Sequence, residues 1–339
     1  MITGSGGLTY EIVDDWAHIP EELGGLDLTD VGADSQGRVF LFNRGTPAVI
    51  VLDRDGNYIE SWGDSTTYPR PHALTIGPDD TIWLTDCADN TVRQCTAVGT
   101  ILRTIGTSGF ASPPLSNQPF NQCTHVAIDP RDGTIFVSDG YGNAAVHKFA
   151  PNGTHQHTWG GAGTGPGEFC VPHNIACDRD GHVYVADRHN SRVQVFNSAG
   201  DFEQAWQHMG LPHALHIDTS TDLQRAFVVE LSSMTFVDTL AYGIPDWAHV
   251  PGNGHKITVR QLDGSVLATL CDNGIGLEPG QLVGPHGISV DSAGCIYVSE
   301  LPYAATRTPK DGPDRLCSLH KLQPVVVPAE PRRNETSDG

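Results

Sequence analysis

Apolar and polar residues alternate along most of the chain in short runs, and the runs are separated by turns rich in Gly, Asp and Asn. The clearest unit, residues 171–206, is VPHNIACDRDGHVYVADRHNSRVQVFNSAGDFEQAW. It reads as four short strands: NIAC meets a D-R-D-G turn, HVYVAD alternates, N-S-R leads into VQVF, and N-S-A-G turns into DFEQAW. The same grammar recurs at PHALTIGPDDTIWLTDCADNTVRQC, at THVAIDPRDGTIFVSDGYGNAAVHKFAPNGTHQHTWG and, with looser spacing, at TDVGADSQGRVFLFNRGTPAVIVLDRDGNYIESWG. Two further copies, PHALHIDTSTDLQRAFVVEL and PHGISVDSAGCIYVSEL, bring the total to six.

Taking the residue just before each first strand as a register mark gives Thr29, His72, Thr124, His173, His213 and His286. Four-stranded units repeating at roughly 40–50 residues are propeller blades. The pattern therefore predicts an all-β chain, a six-bladed β-propeller with four-stranded blades over residues 1–322, followed by a disordered tail at 323–339. The longer step between His213 and His286 holds a Pro- and Gly-bearing insertion, residues 241–254, on blade five. The last unit supplies three strands, ending near residues 315–322. Its fourth is expected from residues 8–16 (LTYEIVDDW), so the N-terminal strand closes the ring and removes exposed sheet edges.

Composition narrows the function. A net charge of −20, spread along the chain, argues against a nucleic-acid partner. No apolar run approaches a membrane span, and the N-terminus lacks the basic start and apolar stretch of a secretory signal, so a soluble, cytoplasmic protein without a membrane partner is expected. The eight cysteines include no C-x-x-C pair, which favours reduced, mostly structural thiols, with a soft-metal site as the alternative.

In a propeller the innermost strands line a central channel, so one repeat position forms a ring around the axis. Four of the six marks are histidine, and every Pro-His dipeptide falls there, at His72, His173, His213 and His286. A duplicated Pro-His also fits a turn element whose imidazole bonds a neighbouring blade's backbone. His72, His173 and His286, however, belong to blades two, four and six, and three inward imidazoles with three-fold symmetry are what an open three-histidine metal site needs. His213 on blade five breaks the symmetry, as a fourth ligand, a proton carrier or a channel-wall residue. His125 lies one step past its mark and is not counted as a ligand.

A second set follows the second strand of each blade: Asn43-Arg44, Asp86, Asp139-Gly140-Tyr141, Asp187-Arg188, Glu230 and Glu300. The repeated acid reads as structural, accepting backbone N–H groups at the strand end. Arg44, Tyr141 and Arg188 do not repeat. Guanidiniums at a metal mouth suit a carboxylate-bearing substrate, and a phenol beside a metal can serve as a base, although surface bonds would explain them equally well.

Together these residues resemble the NHL-repeat six-bladed propellers and, within them, the peptidyl-α-hydroxyglycine α-amidating lyases and their bacterial relatives. The resemblance covers roughly residues 8–301 and rests on FNRG (42–45), RPHAL, VSDGYGN (137–143), VPHNIA, VADRHNSRVQVF and GPHGISVDSAG. It implies zinc ligands at His72, His173 and His286, an active-site tyrosine at Tyr141 and active-site arginines at Arg44 and Arg188. It implies cleavage of a carbinolamide C–N bond in a small carboxylate-bearing substrate, releasing an amide and glyoxylate. The family's structural calcium takes carbonyls matching Val31 and Leu74 and an aspartate where this chain has Gly287, which counts against calcium here. The secreted members' disulfide cysteines match Gly142, Tyr184 and Val195.

Other functions share the same residues. A metal-dependent hydrolase such as a lactonase would use the metal to activate water. With His213 as a fourth ligand, the alternative is a four-histidine iron site doing oxygen chemistry. A non-enzymatic NHL binding platform needs no ring of histidines.

Overall fold

The computed structural model describes residues 1–5, 7–232, 254–312 and 315–325. Its strands form six antiparallel sheets that follow one another along the chain. The inner strands are Leu28–Ala33, Pro71–Ile76, His125–Ile128, Pro172–Cys177, Leu211–Asp218 and Pro285–Val290. They pack side by side around one axis, the sixth against the first, and so close the six-bladed propeller. Blade six takes Pro285–Val290, Ile296–Glu300 and Leu319–Pro324 from the C-terminal end, then Leu8–Val13 from the N-terminal end. This is the expected closure. A fifth strand, Ile2–Ser5, adds to the outer edge, and the C-terminal strand runs to Pro324, two residues past the expected boundary. The tail from 326 onward and residues 241–253 of the expected insertion lie outside the described residues.

The burial pattern explains the repeat. Second strands such as Val39–Asn43, Ile82–Asp86 and Val183–Asp187 are buried at every position, because neighbouring blades cover both faces. The outermost strands of blades one to four are largely exposed. Among the described residues the core is accordingly divided into six apolar seams, one between each pair of adjacent blades, beside a small separate cluster of Ile275, Val283 and Ala305. Phe42, Val51, Leu74 and Leu84, for example, join blades one and two, and Val31, Leu41, Ile50 and Tyr297 join blades six and one. Stability thus comes from blade-on-blade burial, which leaves the axis free for polar residues.

The acid at the end of the second strand has the structural role expected of it. Asp86, Asp139, Asp187, Glu230 and Glu300 accept the backbone N–H of Arg70, Asn121, Cys170, Gly210 and Val283 respectively, each in the loop entering its own blade. In blades three to six a third-strand base completes the contact: His147, Arg192, Arg260 and His320. Each acid therefore pins the segment that delivers the ring residue. Asp187→Ala should leave the buried Arg192 guanidinium without its counter-ion and destabilise the fold by about 3 kcal/mol. Urea unfolding of the variant measures this, and a loss below about 0.5 kcal/mol would contradict the role.

Candidate metal centre and its cavity

The ring residues are aimed at the axis by bulges. Strand pairing passes from Leu28↔Asn43 to Asp30↔Phe42 and so skips Thr29; the same break skips His72, His173, His213 and His286. A bulged residue leaves the ladder and its side chain is redirected. These five residues therefore sit just inside their strands rather than before them, a small correction to the register, whereas Thr124 does precede His125–Ile128.

His72, His173 and His286 meet on the axis, and one ligand nitrogen from each lies within 4.8 Å of the others. All three are buried. Each Nδ1 lies against the backbone oxygen of the ring residue in the next blade: Thr124 at 2.5 Å, His213 at 2.7 Å and Thr29 at 2.7 Å. A carbonyl only accepts, so Nδ1 carries the proton and Nε2 keeps its lone pair. The even blades thus supply the imidazoles, and the odd blades fix their tautomer. The backbone bond weighed as an alternative to ligation is present, and it uses the nitrogen that faces away from the axis.

Tyr141 Oη lies 2.9 Å from His72 Nε2 and 3.0 Å from His173 Nε2. One hydroxyl proton cannot satisfy both, and among the described residues His286 Nε2 has no hydrogen-bond donor. Three inward lone pairs with one proton between them suit a cation, and the donor set of three neutral imidazoles suits zinc or iron. Burial holds all three histidines well below the ordinary imidazole pKa, with one another's charge and the arginines adding to the effect. They are therefore neutral and able to ligate.

His213 is close to the trio but outside it. Its ring centroid lies 4.1 Å from that of His173 and 4.7 Å from that of His286, yet its nitrogens are not among those within mutual ligand distance. Both ring nitrogens are buried without a hydrogen-bond partner, and the side chain lines the cavity. His125 is turned away from the trio, with Nε2 3.3 Å from Asp30 Oδ2. Asp30 also accepts the N–H of Val31 and Leu74, and its Oδ1 would lie 2.1 Å from a Cβ placed on Gly287. An aspartate at 287, as the resemblance required for calcium, does not fit beside it. Among the described residues no cysteine joins a group of metal-ligand geometry, and all eight are free thiols.

Above the trio a cavity of about 440 Å³ is lined by Arg44, Tyr141, Arg188 and His213, with Leu211 and Leu231 on its wall. None of the ion pairs among the described residues includes Arg44 or Arg188. Arg188 stands over the Tyr141 ring at 5.8 Å. Burial raises the pKa of the Tyr141 phenol, while Arg188 and Arg44 pull it down. Of the expected site residues, Arg44, Tyr141, Arg188 and His286 line this cavity together with His213, while His72 and His173 meet it through the Tyr141 hydroxyl. The structure adds Arg70 and His255, which sequence reasoning missed. Arg70 had a signal, since it immediately precedes a Pro-His ring dipeptide. His255 had none, because it follows an insertion that breaks the repeat.

Fold and site define a six-bladed propeller with a three-histidine group on its axis, and residues 169–196 match the NHL repeat model. The chain is 29% identical over 212 residues to NHL repeat-containing protein 3 of Homo sapiens, a match covering 59% of this chain and 60% of that protein. It is 29% identical over 251 residues to peptidyl-alpha-hydroxyglycine alpha-amidating lyase 1 of Drosophila melanogaster, covering 71% of this chain and 44% of that one. The chain therefore spans less than two thirds of these relatives' length. Both are animal proteins, so the bacterial side of the resemblance is not borne out by them. A crystal structure of virginiamycin B lyase from Staphylococcus aureus superposes with a TM-score of 0.54 at 13% identity, covering 94% of this chain and 99% of that one, which supports the propeller fold. No helix among the described residues is long and apolar enough to cross a membrane.

Proposed function

We propose that this chain is a metal-dependent lyase that cleaves the C–N bond of a small, carboxylate-bearing carbinolamide. The observation that carries this is the meeting of three neutral imidazoles and one phenol beside a cavity lined by two guanidiniums without carboxylate partners. In this reading His72, His173 and His286 hold the metal, zinc by preference and iron as the alternative. When bound, it supplies Lewis acidity toward the substrate hydroxyl.

The chain's own residues do the rest. Arg44 and Arg188 bind and orient the substrate carboxylate, for which fixed guanidinium forks are suited. Tyr141 Oη, acting as the phenolate, receives the hydroxyl proton; burial raises the phenol's pKa on balance, and the two guanidiniums pull against that rise. As the O–H pair becomes the carbonyl of glyoxylate, the C–N bond breaks and its electrons go to nitrogen. The proton held at Tyr141 then completes the amide. Leu211 and Leu231 on the cavity wall receive the apolar part of the amide.

The direct test supplies an N-acyl-α-hydroxyglycine and follows glyoxylate and amide together. Equimolar release of both is expected. Hydrolysis of lactones without C–N cleavage would replace this reading with the hydrolase. Arg188→Ala should raise KM for the carboxylate substrate about tenfold or more, while a substrate with a carboxamide in that place should lose little further in the variant. Equal losses for both substrates would remove the carboxylate role.

A further inference from the structure

A second cluster of reactive groups lies away from the axis, on blade six. Cys317 Sγ is 4.0 Å from His320 Nδ1, and His320 Nε2 is 3.4 Å from Glu300 Oε1. The Glu300 side chain is 1% exposed and is held in place by the N–H groups of Val283 and Gly284. His320 therefore has a fixed acid on one nitrogen and a thiol on the other. Of the eight cysteines only Cys317 and Cys170 are exposed. Cys317 stands at a cavity of about 400 Å³, separate from the histidine site, with Trp16, Ile19, Leu26 and Leu277 among its walls. Its charged neighbours there are Asp14, Asp15, Glu278 and Arg315.

We propose that Cys317, His320 and Glu300 form a nucleophilic thiol site, a point of covalent modification by soft carbon electrophiles whose apolar part the adjoining cavity receives. The thiol proton passes to His320 Nδ1, and the resulting imidazolium is paired with Glu300 through Nε2–H. Sγ then attacks the electrophilic carbon, a C–S bond forms, and the leaving group departs with the electron pair of its bond. While protonated, the thiol donates instead to the Leu319 carbonyl oxygen at 3.2 Å. Burial acts to raise the thiol pKa, but the bond and charge of His320 outweigh it and leave Cys317 below its ordinary value. Burial likewise acts to lower the pKa of His320, which Cys317 and Glu300 carry well above the ordinary imidazole range. Both directions favour the thiolate–imidazolium pair.

Cys170 provides an internal control, an exposed thiol with no basic partner among the described residues. The full-length chain, treated briefly with limiting iodoacetamide at about pH 6 and mapped by peptide mass spectrometry, should carry the label on Cys317 about five- to tenfold ahead of Cys170. His320→Asn should bring Cys317 down to the rate of Cys170 or below it, with an unchanged circular dichroism spectrum. Equal or slower labelling of Cys317 at about pH 6 in the unaltered chain would overturn the proposal without recourse to any variant. A folded His320→Asn chain that kept the full lead would overturn it as well.

Discussion

His173→Ala is expected to abolish turnover and to strip the chain of its metal. His173 is the most connected of the three axial imidazoles: its Nδ1 bonds the His213 carbonyl, its Nε2 faces Tyr141, and its ring packs against His72, His213 and His286. Removing an outer-shell partner of a metal ligand commonly costs about 10–100-fold in affinity or activity, so loss of a ligand should exceed about 100-fold. The fold should survive, because none of the apolar seams between blades contains His173. Steady-state turnover, metal content and thermal unfolding measured on one preparation separate these effects. Activity within tenfold of the parent would show that the axial histidines are not the working site.

Tyr141→Phe should separate catalysis from metal binding. The phenol is the only polar side-chain group among the described residues within hydrogen-bond distance of the Nε2 atoms of His72 and His173, and Arg188 stands over its ring. Phenylalanine keeps the ring contacts with both histidines and deletes only the oxygen. A proton-transfer group is worth about 10²–10⁴-fold. The expected result is a kcat loss in that range with unchanged metal content and a nearly unchanged KM. A variant that retained full kcat would move proton transfer to another group, with His213 the first to examine because both of its ring nitrogens are buried and unpartnered.

Much of this was legible in the sequence because the fold is a repeat. D-x-x-G turns at residues 34–37, 178–181 and 291–294 mark the corner between the first and second strands of blades one, four and six, so alignment of the copies located the strands and the ring. The ring histidines followed from register alone, since Pro-His recurs at one position. Register could not reveal the bulge that redirects these side chains, because a bulge depends on pairing with the second strand and has no composition of its own. Nor could it show that Thr29, Thr124 and His213 act through their carbonyls, for any residue offers that group. Ile2–Ser5 escaped notice because an added outer strand has no counterpart in the other blades. The Cys317, His320 and Glu300 cluster was equally hidden, since Glu300 comes from the neighbouring strand and only the fold brings it to His320.

The central claim is that the axial histidines hold a metal, and elemental analysis tests it most directly. The full chain should be purified without chelator or metal-affinity tag, beside His72→Ala and His213→Ala. About one zinc per chain is predicted, lost in His72→Ala and retained in His213→Ala, as an open three-histidine site requires. Iron lost with either substitution would point instead to a four-histidine site and oxygen chemistry. A folded native chain that takes up no metal, or metal that persists in His72→Ala, would contradict the account.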